Sequence, residues 1–354
     1  MSLLKIYIGN VNYNNQKRIF LVDYLKPIIP KKQIEKYHLS SMPIQIVDSQ
    51  NESDCFLLPY SWNYYIKTNK VNSANEFIIE AKESNKKIII WVTGDYHFSL
   101  PPYDNIIGLY ASIYRSKLNA NIIPLPVIIR DPLSVLEFKE IEVSAFKKQP
   151  MIGFCGHVDS NLIVSIIKVI RLLLHNLKHY LKFYDDNFEP ILPATYLRKK
   201  ILLFLENSEN IKTNFIRRNR YKGGKLAKSH SVTIKRDFLN NIINSDYTLC
   251  IRGSGNFSAR FYETLALGRI PVFINTDCAL PFSDLIEWKK HVVWVEMEEV
   301  ANVHTKILSF HKSLTSDQFI NLQISNRRLW EQYFSYPSFF IQSTSYLKKI
   351  INEA

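Results

Sequence analysis

The chain has 354 residues, of which 46% are hydrophobic and 22% are charged. These fractions exclude an intrinsically disordered chain, and the length fits two domains of about 150–180 residues each. The formal net charge of +13 at pH 7 predicts attraction to anionic partners, for which nucleic acid, an acidic membrane surface and phosphorylated substrates are the candidates.

The spacing of the cysteines limits the metal chemistry of the chain. The four cysteines lie far apart in the sequence, and the chain contains no C-x-x-C pair, which is the usual unit of a structural zinc site. Cys155 and Cys250 lie in apolar runs and are predicted to be small core residues. We therefore expect a reducing compartment, no metal site and no resident cofactor.

The first half of the chain alternates strand patterns with helix patterns. Apolar runs predict strands over residues 3–8, 43–47, 55–58 and 87–92, and helical spacing predicts helices over 18–24 and 74–83. In the run KIIIWV at 87–92, the five residues after Lys87 are all apolar, which is typical of a strand buried in a parallel sheet. The alternation predicts a doubly wound α/β sheet.

The segment GDYH, residues 94–97, follows this strand. Ligand-binding groups in open α/β sheets gather beyond the carboxyl ends of the strands. Asp95 and His97 are therefore candidates for a base that removes a proton from an attacking hydroxyl. The alternative is that Asp95 caps a turn and that His97 is an ordinary loop histidine.

A second alternation of elements follows a change in composition. Residues 132–150 are charged, lack a sustained pattern and are bounded by proline, which indicates a connection between two domains. A strand is predicted at 151–155. The apolar segment 163–174 is interrupted by basic residues and is predicted to be a buried helix that continues to residue 180.

The densest basic run of the chain is RRNRYKGGKLAK, residues 217–228. No recognised nucleic-acid-binding motif surrounds it, so a specific nucleic-acid partner is not expected. The run is interpreted either as a solvated loop, or as a contact with phosphate groups, or as a contact with anionic lipid.

Residues 247–295 contain the most informative pattern of the chain. They predict a strand at 247–251, a glycine-containing loop at 252–257, a helix at 258–267 and a strand at 270–274. A strand and a helix joined by such a loop can hold an anion with main-chain N–H groups and the positive end of the helix dipole. Ser258 occupies the third glycine position of a dinucleotide fingerprint, so that cofactor motif is not matched.

Two arginines flank this loop, Arg252 at its start and Arg260 in the first helical turn. A cation at a helix N-terminus costs the helix about 0.3–1 kcal/mol, which a bound anion would offset. Alternatively, Arg260 and Glu263 form an ordinary surface pair that stabilises the helix by about 0.2–0.5 kcal/mol.

This block resembles the exostosin family of glycosyltransferases. The resemblance rests on the run RGSGNFSARFYETLALGRIPVF, the acidic turn NTD at 275–277 and the run LPFSDLIEW, with looser similarity at KRDF (235–238), SDY (245–247) and GDYH. It implies a GT-B architecture, in which a cleft separates two Rossmann-like domains and a C-terminal helix returns to the N-terminal domain. The implied domains are residues 1–140 on the acceptor side, 150–325 for the nucleotide-sugar, and 326–354 as the returning helices.

The resemblance also implies roles for residues of this chain. Arg252 and Arg260 correspond to arginines that line the family's donor site, and Glu263 corresponds to a glutamate expected to bind the ribose hydroxyls. The other expected donor-site residues lie in the loop and at a strand end: Gly156, His157, Gly253, Ser254, Gly255, Asn256 and Ser258. His157 is alternatively a solvent-facing histidine at a helix start. Phe257 and Tyr262 either stack on the donor or belong to the core.

The activity implied by the resemblance is an inverting, metal-independent transfer from a nucleotide-sugar, most simply a UDP-sugar. The implied acceptor is a glycan or a lipid-linked glycan of surface polysaccharide biosynthesis, such as capsule or O-antigen. Two alternatives stay open. The chain could be a catalytically silent scaffold of a polysaccharide-synthesising complex, or a basic nucleic-acid-binding protein.

The N-terminus bears on the expected location of the protein. Eukaryotic exostosin-like enzymes usually carry an N-terminal membrane anchor, whereas this chain begins with a short strand pattern and no signal-peptide pattern. We therefore expect a bacterial, cytoplasmic enzyme. Peripheral contact with the anionic inner face of the cytoplasmic membrane is a further expectation from the positive charge.

Overall fold

The computed structural model describes residues 3–9, 20–29, 34–95, 97–158, 162–181, 191, 193–218 and 228–353. Within these residues the backbone forms one six-stranded and one five-stranded sheet. Contacts divide the chain into two compact units. Unit 1 contains Met1–Ile128, Ala279–Pro281 and Ser335–Ala354, and unit 2 contains Ile129–Cys278 and Phe282–Phe334.

Unit 1 is built on a parallel sheet with the strand order β2-β1-β3-β4-β5-β6. Its strands are β1 (Leu4–Tyr7), β2 (Ile44–Val47), β3 (Cys55–Leu57), β4 (Ile88–Val92), β5 (Ile106–Tyr110) and β6 (Ile122–Pro124). Its helices are α1 (Trp62–Lys67), α2 (Val71–Glu83) and α10 (Tyr336–Glu353). Every residue of β4 is buried, so the apolar run predicted to be a buried parallel strand is confirmed.

The C-terminal helix α10 belongs to the core of unit 1. Tyr24 is fully buried and contacts the rings of Phe339 and Phe340 on α10 and of Trp91 on β4, with centroids 5.3–6.2 Å apart. The prediction that a C-terminal helix returns to the first domain is therefore confirmed. Residue 326, where the returning segment was predicted to start, lies inside a helix of unit 2.

The segment around Leu21 differs from its prediction. A helix was expected over residues 18–24, but Leu21 forms an antiparallel bridge with Tyr60, and residues 23–28 form turns. The physical reason is that long-range contacts of Leu21 and Tyr24 replace the local helical hydrogen bonds. Tertiary packing commonly overrides helix propensity in this way.

Unit 2 is built on a parallel sheet with the strand order β11-β10-β9-β7-β8. Its strands are β7 (Met151–His157), β8 (Lys212–Arg218), β9 (Tyr247–Cys250), β10 (Ile270–Asn275) and β11 (Val293–Glu296). Its helices are α3 (Pro132–Leu136), α4 (Leu162–Tyr180), α5 (Ala194–Glu206), α6 (Lys228–Ile243), α7 (Ala259–Ala266), α8 (Val303–Lys312) and α9 (Ser316–Tyr333). The predicted α/β class with two Rossmann-like units is confirmed.

Helix α4 forms where a helix was predicted, but the prediction that it is buried is wrong. Eight large apolar side chains on this helix and just after it are 43–73% exposed, namely Ile166, Ile167, Ile170, Leu173, Leu174, Leu177, Tyr180 and Leu181. Val169 and Leu172 of the same helix are half-buried. The sequence pattern indicated an apolar, buried helix, whereas the described residues leave these eight side chains exposed. All four cysteines are free and buried, so the predicted core positions of Cys155 and Cys250 are confirmed.

Candidate active site

The loop between β9 and α7 has an open side. The Gly253 N–H donates a hydrogen bond of 3.1 Å to the carbonyl of Phe257, which closes the loop. A Cβ atom built on Gly253 would meet no atom of the described residues within 4 Å. Helix α7 begins immediately after this loop, with Ser258 as its N-cap. The loop therefore leaves room for a ligand beside main-chain N–H groups and a helix N-terminus.

Arg252 places a nearly buried cation at the start of this loop. The residue is 7% exposed, and its Nη2 donates a hydrogen bond of 2.8 Å to the carbonyl of Ser254. A second arginine supports it, because Arg198 of α5 donates from Nη2 to the carbonyl of Arg252 at 2.7 Å. Nη1 of Arg198 donates to the carbonyl of His157, at the end of β7, at 3.3 Å. Two guanidinium groups thus lie where β7 and β9 end.

Arg260 is bound to the main chain of the sheet. Its Nη1 donates to the carbonyl of Leu249 at 3.2 Å and its Nη2 to the carbonyl of Cys155 at 2.7 Å. The guanidinium lies over the ring of Phe154, 4.4 Å from the centroid, and burial lowers the pKa of Arg260. Carbonyl dipoles and an aromatic face therefore offset the unfavourable position of this cation at a helix N-terminus, without a bound anion.

Gly156 makes room for this guanidinium. A Cβ atom at Gly156 would lie 2.8 Å from Nη2 of Arg260. The sequence interpretation was that Gly156 lets the backbone approach a phosphate, whereas the structure places an arginine on that side. His157 follows at the end of β7, opposite Arg218 of β8.

Glu263 pairs with a lysine of α6. Its carboxylate forms an ion pair with Nζ of Lys235, and the two side chains are 10% and 43% exposed. The alternative of a surface pair between Arg260 and Glu263 is replaced by this contact and by the carbonyl contacts of Arg260. The KRDF segment therefore supplies the ion-pair partner of Glu263, the residue that is expected to bind the ribose.

Asn256 connects the loop to the turn after β10. Its Nδ2 donates to the carbonyl of Asp277 at 3.1 Å, and its Oδ1 accepts from the hydroxyl of Thr276 at 2.6 Å. Its main-chain carbonyl accepts from the thiol of Cys278 at 2.9 Å. The side chain is buried, so Asn256 positions the loop through the NTD turn.

Tyr262 is likewise buried against Phe334, with ring centroids 5.3 Å apart, which places it in the core.

Asp95 and His97 lie after β4 in unit 1, and Tyr96 between them is outside the described residues. Asp95 is exposed, and its main-chain carbonyl accepts a hydrogen bond of 3.0 Å from the hydroxyl of Ser112. His97 is 6% exposed and stacks on Tyr110 at a centroid distance of 4.8 Å. Burial, together with the charge of Lys117, lowers the pKa of His97 to about 4, so the imidazole is neutral at pH 7.

His97 lines a cavity of about 470 Å³ within unit 1. Residues of the 97–103 segment, of β5 and of the approach to β6 surround this cavity, among them Leu100, Tyr103, Tyr110 and Asn121. Nδ1 of His97 is buried and has no hydrogen-bond partner among the described residues. Buried polar atoms are usually hydrogen-bonded, so this nitrogen is an exception that no contact of the described residues explains.

Two sequence expectations concern charge and metal. Of the basic run 217–228, residues 219–227 lie outside the described residues. Its first two arginines make contacts within unit 2: Arg217 pairs with Glu206 at 2.5 Å, and Arg218 donates to the carbonyl of Ile234 at 3.1 Å. The part of the chain that the structure describes contains no cluster of His, Cys, Asp or Glu that could hold a metal ion.

Comparison with known proteins bears on this site. Residues 180–309, which contain Arg198, Arg252, Arg260 and Glu263, match the Exostosin GT47 domain. Exostosin-1a of Danio rerio is 28% identical over 116 residues, which are 33% of this chain and 15% of that relative. Exostosin-1 of Drosophila melanogaster is 31% identical over 98 residues, 28% of this chain and 12% of that relative. The resemblance to the exostosin family is confirmed for this segment, and the chain spans a small part of the length of these relatives.

Solved structures give a more distant likeness. HepE of Anabaena, in complex with UDP, has a TM-score of 0.37 and 11% identity, and the match covers 99% of this chain and 100% of that chain. A TarM mutant of S. aureus, in complex with Fondaparinux, alpha-GlcNAc-glycerol and UDP, has a TM-score of 0.38 and 10% identity, covering 85% of this chain and 56% of that chain.

Proposed function

We propose that this chain is a glycosyltransferase that transfers a sugar, with inversion, from a nucleoside-diphosphate sugar to a glycan acceptor. The observation that carries the proposal is the open loop at Gly253 beside the guanidinium of Arg252, within the segment that matches the Exostosin GT47 domain. The donor is proposed to be UDP-linked. The acceptor is proposed to be a glycan or lipid-linked glycan of a surface polysaccharide.

The proposed chemistry needs charge stabilisation at the donor diphosphate. Breaking the bond between sugar and diphosphate leaves new negative charge on the leaving nucleoside diphosphate. Fixed cations and main-chain N–H groups aimed at that charge lower the barrier. Arg252, supported by Arg198, and the N–H groups of the loop are proposed to do this without a metal ion.

The proposed donor contacts continue at Glu263. An ionised carboxylate only accepts hydrogen bonds, so it suits the two hydroxyls of a ribose. Lys235 holds this carboxylate in place and adds a positive charge near the donor. Arg260 is proposed to act through the sheet, because it fixes the ends of β7 and β9 by its carbonyl contacts.

The base that accepts the proton of the acceptor hydroxyl is proposed to be Asp95 or His97. His97 offers a neutral imidazole in a residue that lines the cavity of unit 1. Asp95 offers an exposed carboxylate. The variants Asp95→Asn and His97→Asn distinguish the two candidates. The variant that lacks the base should lose turnover and keep its affinity for the nucleotide. The other variant should keep both turnover and affinity within a few fold.

The first test is a thermal-shift measurement with UDP, GDP, CMP and dTDP in the presence of EDTA. A ligand at a hundred times its dissociation constant stabilises the folded state by about 2.7 kcal/mol. We expect one nucleotide to raise the melting temperature, Arg252→Ala to abolish the rise, and Arg328→Ala, an exposed arginine on α9, to leave it unchanged. No rise with any nucleotide, with EDTA or with Mn²⁺, would overturn the donor site. A rise without turnover of any sugar nucleotide would favour the silent scaffold.

A further inference from the structure

Helix α4 has an apolar face that the described residues leave exposed. The exposed large side chains on it and just after it are Ile166, Ile167, Ile170, Leu173, Leu174, Leu177, Tyr180 and Leu181. Because successive helical residues turn by about 100°, these eight side chains share one arc of about 140°. An exposed apolar patch of this kind marks an interaction surface.

The charges beside this face identify the kind of partner. Arg171 and Lys178 are exposed and lie together at one margin of the arc, since they are seven residues apart and thus nearly two turns. The helix sequence LIVSIIKVIRLLLHNLKHY contains no acidic residue. The chain as a whole carries a formal charge of +13. The margin of the apolar face is therefore complementary to a negative surface.

We propose that the apolar face of α4 is a docking surface for a lipid bilayer that carries anionic headgroups. A helix that is apolar on one side and basic at its margin lies in the plane of the membrane interface, with its apolar side chains among the acyl chains. Tyr180, at the end of α4, suits the headgroup level, where aromatic rings with a polar end collect. No helix in the described part of the chain is long and apolar enough to span a bilayer. The proposal does not depend on the glycosyl transfer proposed above.

A second copy of the chain is the competing occupant. Two α4 faces packed against each other would bring Arg171 and Lys178 of both copies to the margins of one interface. Where the pairing places these cations side by side, as in an antiparallel pair, they repel each other, and the repulsion is strongest at low salt. Anionic headgroups, in contrast, are attracted to the same two cations, and the attraction weakens as salt screens it.

The test is sedimentation of the full chain with vesicles of phosphatidylcholine alone or mixed with phosphatidylglycerol in about equal parts. The apolar variant is Ile166→Gln/Ile170→Gln/Leu177→Gln, at the centre of the face. Its matched control is Leu118→Gln/Leu285→Gln/Ile341→Gln, three exposed apolar residues on other elements. We expect the wild type and the control to bind mixed vesicles, and the apolar variant to bind more than about tenfold more weakly.

Charge is tested separately with Arg171→Gln/Lys178→Gln. We expect this variant to lose about tenfold or more of its preference for mixed vesicles over phosphatidylcholine, and to respond less to added salt. The control Arg236→Gln/Lys290→Gln removes two exposed cations elsewhere and should keep the preference.

Three outcomes overturn the proposal. The first is a wild-type chain that binds neither vesicle. The second is an apolar variant that turns a dimer into a monomer in analytical ultracentrifugation without changing vesicle binding, since a second copy then covers α4. The third is a melting temperature that falls in the apolar variant and not in its control, because the face is then covered by the chain itself.

Discussion

Nη2 of Arg198 donates a hydrogen bond of 2.7 Å to the main-chain carbonyl of Arg252. The same guanidinium donates to the carbonyl of His157 at 3.3 Å. One side chain of α5 therefore holds together the ends of β7 and β9, the two strands that frame the candidate donor site. We therefore expect Arg198 to act as a positioning residue whose charge lies near the proposed diphosphate.

Replacing Arg198 should weaken nucleotide binding even though the two hydrogen bonds described above are to the main chain. Hydrogen bonds to a charged group are worth about 1.5–3 kcal/mol each, so Arg198→Met is expected to raise the dissociation constant of the bound nucleotide about 10–100-fold. Titration calorimetry measures this. Arg328→Met should leave the constant unchanged, and an equal loss in both variants would contradict a role at the site.

Glu263 should determine whether the site distinguishes ribose from deoxyribose. If its carboxylate accepts from the ribose hydroxyls, the wild type binds UDP more tightly than dUDP, because one hydrogen bond to a charged acceptor is lost. Glu263→Gln should reduce this preference about tenfold or more, while Lys235→Met should keep most of it. The dissociation constants of UDP and dUDP for the wild type and for Glu263→Gln form a cycle of four values. In this cycle the loss of the 2′-hydroxyl takes the place of a second mutation. An unchanged ratio in Glu263→Gln would show that the carboxylate serves only the ion pair with Lys235.

His97 should make stability depend on pH in a defined window. Burial lowers its pKa from an ordinary 6.5 to about 4, so the unfolded chain binds this proton more readily than the folded chain. The contribution is fully present above about pH 6.5 and is lost as the pH falls toward 4. Denaturant unfolding at several pH values should show a flatter profile for His97→Phe, which can still stack on Tyr110 but cannot titrate. A parallel profile for both proteins would contradict the shift.

Sequence patterns predicted the strands and the loop better than the partners of individual side chains. The run at 87–92 was predicted as a buried strand because its five apolar residues would cover both faces of a strand. The apolar pattern of residues 163–174 predicted a buried helix, but a pattern does not say whether other residues cover the helix. The contacts of Arg260 could not be predicted from the sequence, because the carbonyl that accepts from its Nη2 belongs to Cys155, 105 residues away in the chain. Arg198 lies in no recognisable motif, so nothing in the sequence singled it out. The cavity at His97 could not be predicted either, because it depends on how residues 97–103 pack against β5.

Arg269 should be among the most important single residues for the stability of unit 2. It is 3% exposed, and it donates to the carbonyls of Ile243 and Glu142 and to the side chain of Gln323, at 2.6–3.1 Å. Arg269→Met would remove these donors from the carbonyls of Ile243 and Glu142, while Oε1 of Gln323 would keep the N–H of Ser144 as a donor. Since each such group costs about 1–3 kcal/mol, we expect the free energy of unfolding to fall by about 3–5 kcal/mol, measured by urea denaturation. Arg236→Met, an exposed arginine, should change it by less than about 0.5 kcal/mol.

Gly156 and Gly253 offer a paired test of which side of the loop faces a ligand. The methyl group of Gly156→Ala would lie 2.8 Å from Nη2 of Arg260, so the guanidinium must shift from its carbonyl acceptors. Overpacking of this kind costs about 1–3 kcal/mol, and the melting temperature should fall. The methyl group of Gly253→Ala meets nothing within 4 Å in the described structure, so stability should be unchanged.

For nucleotide binding we expect the opposite order, with a larger effect in Gly253→Ala than in Gly156→Ala. In Gly253→Ala the methyl group enters the space where the diphosphate is proposed to lie, so the dissociation constant should rise about tenfold or more, because a close contact that only glycine allows is lost. In Gly156→Ala the constant should rise only as far as the displaced Arg260 disturbs the loop. The opposite result would be a Gly156→Ala variant that keeps its melting temperature and loses nucleotide affinity. Gly156 would then face the phosphate, as the sequence analysis expected, and would not serve to make room for Arg260.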